Sequence, residues 1–247
     1  MKRITLFVAT AAAALAGAAS ATAGHPHTHV RLWHCHHALA PLERHFDLAA
    51  GMHRVHGTRR MAIRFDLFVR HRGSARFALL DSPGYGEWIK SPAWVRGFRY
   101  LRRVNGLDAP AAYRVRVGFR WYAADGHVQH TAHRLSRPCF EPDMRPDLHV
   151  EAIGVRPGDA ARDRYAAVVR NRGRTAAGPF TVTLQIGDQR VVRRNVDGLA
   201  ADRQTRVGFG LKPACDPAAP PTLTLDAAGT VDESDETDDV VPVPCPG

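Results

Sequence analysis

No short motif of a common enzyme class occurs in this chain. It lacks G-x-S-x-G, H-E-x-x-H, a P-loop and a dinucleotide fingerprint. It therefore lacks the spaced groups used in acyl transfer, zinc-assisted hydrolysis, phosphoryl transfer and nicotinamide chemistry. Cysteine is scarce, four residues in 247, and no two form a C-x-x-C or any close pair, which removes the usual zinc frameworks. Beyond residue 23 no stretch is apolar for the ~20 residues a bilayer span needs. No later segment shows a helical apolar period with caps. What remains is an all-β reading and a non-catalytic one.

The N-terminus reads as a secretory signal peptide over residues 1–23. Lys2 and Arg3 precede an alanine-rich apolar stretch, Ile4 to Ala19, and Ala21-Thr22-Ala23 fits the small-x-small cleavage rule. The mature chain would start at Gly24, with Ala19-Ser20-Ala21 as a second cleavage site. The apolar stretch is shorter than a bilayer span, which favours a cleaved signal over an anchor. No cysteine follows the cleavage site to take a lipid. The expected product is soluble and secreted, with no membrane span. In an oxidising compartment Cys35, Cys139, Cys215 and Cys245 are expected to form disulfides. Four cysteines allow three connectivities. Cys35–Cys139 and Cys215–Cys245 are the expected pairs, because each then falls within one expected domain.

Charge divides the mature chain. Residues 24–143 carry a net +10, whereas residues 144–247 carry −2. The expected division is a His-rich segment with a first strand at 24–60, the rest of a first β-sandwich at 61–142, and a second sandwich at 143–247. Val30 to His37 fits a short strand, and Ala38 to Gly57 has no clear period. Met61, Ile63, Phe65, Leu67 and Val69 alternate as one face of a half-buried strand. Arg76 to Leu80 is another candidate, Asp81 to Pro92 reads as a loop, and Trp94 to Val104 as a strand. In the cleanest strand, Tyr113, Val115, Val117, Phe119 and Trp121 face one way and Arg114, Arg116 and Arg120 the other. Asp125-Gly126 signals a hairpin turn, and His127 to Ser136 returns. Leu107 to Tyr113 resembles the corner of a fibronectin type III-like sandwich, which implies a buried Tyr113 whose hydroxyl bonds back to the chain.

Arg137 to Pro146 carries three prolines and reads as a linker. Leu148, Val150 and Ala152 open the second half. Strands are then expected over Tyr165–Arg170, Phe180–Ile186, Arg190–Val196, Arg206–Leu211 and Leu223–Asp226. Pro146-Asp147-Leu148, Asn171-Arg-Gly173, Leu199-Ala200, Asp226 and Glu233-Ser-Asp-Glu236-Thr-Asp-Asp239 stand in an order that resembles the CARDB domain over about residues 146–243. Three aspartates replace asparagines of the usual closing pattern. The resemblance implies an immunoglobulin-like module of surface and secreted proteins, used for adhesion or display and not for catalysis.

Four groups of residues carry a binding chemistry. Nine of the fourteen histidines lie between His25 and His56. His25, His27 and His29, with His34 and His36, have the i, i+2 spacing that puts imidazoles on one face of an extended chain, as a zinc or copper site would use. Pro26 interrupts the run, and a solvated biased tail is the plainer reading. Asp232, Glu233, Asp235 and Glu236 form an acidic turn that would suit calcium, although the glycine and twelve-residue frame of an EF-hand are absent. The stripe Arg114, Arg116 and Arg120, joined by Arg99, Arg102 and Arg103 if their strand is adjacent, would hold an anionic polymer, against the plainer reading of an outward sheet face. Nucleic acid is disfavoured by export and by the lack of a nucleic-acid motif. The expectation is an exported non-catalytic binding or adhesion protein whose partner is an anionic surface polymer or another surface protein, with no resident cofactor. A metal-binding protein using the histidine segment and a structural spacer are the alternatives.

Overall fold

The computed structural model describes residues 27–157, 163–187, 190–211 and 215–245. The expected signal peptide and His25 lie outside them. The described chain is all-β, with one 3₁₀ turn at Pro41–Glu43. None of its helices is long and apolar enough to cross a membrane.

The first sandwich has two sheets. One contains β1 (Thr28–His36), β2 (His45–His53) and β6 (Gly97–Asn105) in the order β1-β2-β6. The other centres on β3 (Arg60–His71) paired with β7 (Ala111–Tyr122) over their whole length. Beyond β3 lie β4 (Ala78–Leu79) and β5 (Trp88–Lys90), and beyond β7 lie β8 (Val128–Leu135) and β9 (Cys139–Glu141). Alternation sorts the side chains. Phe46, Leu48, Ala50 and Met52 meet Ile63, Phe65, Leu67, Val115, Val117, Phe119 and Trp121 in one core. The Trp121 indole N–H crosses between the sheets to donate to the His53 carbonyl at 2.7 Å. Cys35 is bridged to Cys139, which ties β1 in one sheet to β9 in the other.

Several expectations needed adjustment. β2 lies inside the segment read as having no clear period: Phe46, Leu48, Ala50 and Met52 alternate inward against His45, Asp47 and His53, but the outward Ala49 and Gly51 interrupt the polar face. The strand expected from Trp94 starts only at Gly97, because Trp94 has a φ of 62° and an exposed ring in a turn. β5 lies inside the expected loop, and β9 inside the expected linker. β6 lies in the opposite sheet from β7, so Arg99, Arg102 and Arg103 do not extend the Arg114 stripe.

Tyr113 is buried, and its hydroxyl accepts from the Asp108 N–H at 2.8 Å and donates to the Asp108 carbonyl at 3.2 Å. Burial, with the neighbouring Asp108 carboxyl, pushes the phenol up to about 12. Tyr113→Phe should cost about 1 kcal/mol or more by stranding a buried N–H. The folded phenol keeps its proton where the unfolded one, near 10, has lost it. Its contribution is therefore whole below pH ~10 and is lost as the pH rises toward about 12. Tyr113→Phe should lack that alkaline component. Urea unfolding at neutral and high pH checks both, and an unchanged midpoint would make Tyr113 an ordinary strand residue.

The second sandwich packs β10 (Leu148–Pro157), β11 (Asp163–Asn171) and β14 (Gln204–Leu211) against β13 (Arg190–Val196), β12 (Phe180–Ile186), β15 (Thr222–Leu225) and β16 (Val240–Pro242). Its separate core includes Leu148, Val169, Val182, Leu184, Leu223, Leu225 and Val243. A bulge between Val150 and Ala152 shifts the register of β10. Ala152 therefore turns outward, and Ile153 and Val155 take over the inner face. Cys215 is bridged to Cys245.

Candidate functional site

One end of the second sandwich is built from buried polar groups. Asn171 ends β11 fully buried. Its Oδ1 accepts from the N–H groups of Asp147 at 3.1 Å and Gly173 at 2.9 Å, and its Nδ2 donates to the carbonyls of Thr175 at 2.8 Å and Leu199 at 2.9 Å. One amide thus joins the entry of β10, the turn after β11 and the segment before β14. Gly173 is required beside it because a Cβ there would lie 2.5 Å from the Arg145 carbonyl oxygen and Pro146 backbone.

The loop between β15 and β16 closes the same end. Asp226, at φ 36°, accepts from the Val231 N–H and the Thr230 hydroxyl, both at 2.6 Å. Glu233 is 1% exposed, and its Oε2 accepts from the Leu148 N–H that opens β10. Glu236 is exposed, and its Oε1 accepts from the Glu233 N–H at 3.0 Å. Asp239 is 8% exposed. One oxygen from each of Glu233, Glu236 and Asp239 lies within 4.8 Å of the others. Glu233 Oε1 and Asp239 Oδ1 are buried with no hydrogen-bond partner. Burial pushes the Glu233 carboxyl up to about 8 and Asp239 up to about 7, with neighbouring carboxylates adding to both shifts. The expected calcium set is thus only half assembled. Asp232 points to solvent and pairs with Arg145 at 2.7 Å, and Asp235 accepts from Thr237. Asp239, part of the CARDB pattern but not of the expected calcium set, completes the group.

The histidines are spread along a sheet. A bulge in β1 between Leu32 and Cys35 shifts its register. His36 lies 4.8 Å from His45, ring to ring, and His29 covers Gly51, where a Cβ would be 2.1 Å from its ring. Burial, with Arg99 and His53 nearby, lowers the His29 imidazole. Among the described residues no metal-sized group contains His27, His29, His34 or His36. Cys35, His37 and Glu141 do approach one another, but the Cys35 sulfur is committed to its disulfide.

The arginine stripe is present, but its members lie on aromatic rings. On the outer face of β3 and β7, Arg114 lies 4.1 Å over Phe77, which Arg70 shares at 5.0 Å. Arg116 lies 5.2 Å over Phe68 and pairs with Asp66 at 3.0 Å, and Arg64 holds the other Asp66 oxygen at 2.7 Å. Arg120 lies 4.1 Å over Trp88, whose ring extends across Gly118. Lys90 sits 5.9 Å over Tyr122. The ring partners Phe68, Phe77 and Trp88 were not apparent from the alternation of β7 alone.

The family model named CARDB matches residues 142–242. That segment is a CARDB domain. The family is immunoglobulin-like, cell-surface-associated and non-enzymatic. Pro146-Asp147-Leu148, Asn171-x-Gly173 and Glu233, which carry the sequence resemblance, are the residues that lace this end of the sandwich. A search of curated proteins found no match. Among solved structures, a domain described as belonging to a cell surface protein of Methanosarcina acetivorans is 24% identical, covering 40% of this chain and 90% of its own, with a TM-score of 0.34. A Pyrococcus furiosus CARDB domain, determined in complex with di-metal ions, is 24% identical, covering 40% of this chain and 84% of its own, at a TM-score of 0.35. Red sea bream transglutaminase is 14% identical, covering 88% of this chain and 31% of its own, at a TM-score of 0.30.

Proposed function

We propose that this is an exported, non-catalytic binding protein of the cell exterior that holds an anionic polymer on its first sandwich. The observation that carries this reading is the ladder of arginines stacked on aromatic rings across β3 and β7. A guanidinium held over a ring is ordered before the ligand arrives and can still turn N–H groups toward phosphate or carboxylate, although Arg116 already gives two donors to Asp66. Arg64, Arg70, Arg114, Arg116 and Arg120 share the two strands with a single acid, Asp66. The net +10 of residues 24–143 places the positive field on the same half. The CARDB half, with its signature polar groups buried, serves as the mount.

Retention of the mature protein on immobilised teichoic acid or an acidic polysaccharide tests the proposal. Binding should be strong at 0.1 M salt and lost at 1 M, as the Debye length falls from about 10 Å to about 3 Å. The triple variant Arg114→Gln, Arg116→Gln, Arg120→Gln should lose retention. It should also lose about 1–3 kcal/mol of stability, because stacked arginines cover rings that solvated ones would leave bare. Circular dichroism confirms that the variant is folded at the assay temperature. A parent that is not retained, or a folded triple variant retained equally well, would refute the proposal and leave the ladder as scaffold.

A further inference from the structure

We infer that Glu233, Glu236 and Asp239 form a divalent-cation site, suited to calcium, at the end of the CARDB domain. Three carboxylates bring oxygens within 4.8 Å of one another. Carboxylates repel at that distance, and folding them together needs a positive charge or protons between them. Glu233 Oε1 and Asp239 Oδ1 accept from no described protein donor, and the two residues are only 1% and 8% exposed. Buried polar groups in folded proteins are satisfied, so two unpartnered carboxylate oxygens in one cluster point to an occupant that accepts electron pairs. Arg145 and His149, which lie beside the loop, are committed to other acids. Arg145 spans Asp143 and Asp232, and His149 holds the Oδ2 of Asp238 at 2.7 Å.

The donors are all hard oxygens, which excludes the soft metals that prefer thiolate or imidazole. They come from a loop whose third member, Glu236, is exposed and leaves a path for the ion and its waters. Calcium accepts six to eight oxygens in loose geometry, whereas magnesium demands a tight octahedron and keeps its water. Three carboxylates on an irregular loop match the former. Glu233 also accepts from the Leu148 N–H, so the ion would be coupled to the first residue of β10 through a single carboxyl group. The loop contributes Val231 and Asp232 to a groove whose other wall includes Arg44 and Asp108 of the first sandwich. Occupancy would therefore set one wall of the groove between the sandwiches.

Thermal unfolding and titration calorimetry of the disulfide-intact mature protein, with calcium chloride as the only ligand, provide the test. Affinity should lie at about 10⁻⁴–10⁻³ M, the range of extracellular calcium modules. At 10 mM calcium the unfolding temperature of the CARDB transition should rise on the order of 5 °C and return with chelator. Magnesium at equal ionic strength should give a smaller rise. Glu236→Gln, at an exposed position, should fold normally and lose the calcium response, as should Glu233→Gln, which keeps an acceptor for Leu148. The double variant Asp232→Asn, Asp235→Asn removes two neighbouring charges but no ligand, and should respond like the parent. No calcium response in the parent would overturn the inference. So would a response in Glu236→Gln equal to the parent's, or one lost equally in the Asp232/Asp235 variant, which would mean diffuse attraction to an acidic loop.

Discussion

Replacing both Cys35 and Cys139 with alanine should cost about 4–5 kcal/mol, the chain-entropy estimate for a loop near 100 residues. The bridge spans 104 positions, and it joins β1, an edge strand of one sheet, to the three-residue β9 of the other. Without it, β1 is held through its ladder to β2 and the packing of Val30 and Leu32. A total stability of about 5–15 kcal/mol is usual for a domain, so the loss would leave the first sandwich marginal. The Cys215–Cys245 bridge spans 30 positions, and its removal should cost less, about 3–4 kcal/mol. Urea unfolding of the two double variants ranks them. A smaller loss for Cys35/Cys139 than for Cys215/Cys245 would show that residual structure or local packing, not loop length, sets the contribution of each bridge.

Strands with an unbroken polar face could be read from the sequence, and a strand whose polar face is interrupted by small residues could not. β3, β7 and β12 show clean alternation because each has a face that meets polar residues or solvent. β2 was hidden because the outward Ala49 and Gly51 break the polar face that His45, Asp47 and His53 otherwise form opposite Phe46, Leu48, Ala50 and Met52. Bulges had a similar effect at smaller scale. The one in β10 moved Ala152 from the core to the surface, and no local residue signals it. The pairing of the cysteines followed from the division into halves. The sheet to which β6 belongs did not, because sheet membership depends on which strands cross over, and the sequence of a strand carries little of that.

The polar sites were legible as clusters of residue types and not as ligand sets. The acidic run was evident, but the choice among its members depends on which side chains the loop turns inward. Asp226 and the turn at Asp235-Glu236-Thr237 decide this. They bring Glu233 and Asp239 inside and leave Asp232 to Arg145. The arginine stripe was found with the correct facing, but its stacking partners come from Phe68, Phe77 and Trp88, on segments whose placement over β7 is a tertiary fact. Solvation was the natural expectation for arginines on an outer face. The structure adds aromatic rings on the same face, over which the guanidinium groups lie, while Arg116 remains exposed.

The largest effect of a single substitution in the CARDB domain should come from Asn171→Ala, which is expected to cost at least about 3 kcal/mol. Asn171 uses both ends of its amide on four backbone groups at 2.8–3.1 Å, and none of its surface is exposed. Truncation strands the Asp147 and Gly173 N–H groups and the Thr175 carbonyl, whereas the Leu199 carbonyl keeps the Ala177 N–H at 2.9 Å. The cost is about 1–3 kcal/mol for each stranded group that water does not reach. Asn171→Asp separates donor from acceptor. It keeps an oxygen for Asp147 and Gly173 but turns a carboxylate toward the Thr175 and Leu199 carbonyls. The introduced carboxyl should have a raised folded pKa, because its protonated form alone can donate to a carbonyl. Its stabilising contribution is therefore present in acid and lost as the pH rises through that value. Asn171→Asp should be severely destabilised at pH 7 and partly recovered near pH 4, whereas Asn171→Ala should show no such recovery. Urea unfolding of the parent and both variants at the two pH values decides the matter. If Asn171→Ala unfolds at the parent's midpoint, the Asn-x-Gly turn does not pin the sandwich, and the lacing of this end would have to rest on Glu233 and Asp226 instead.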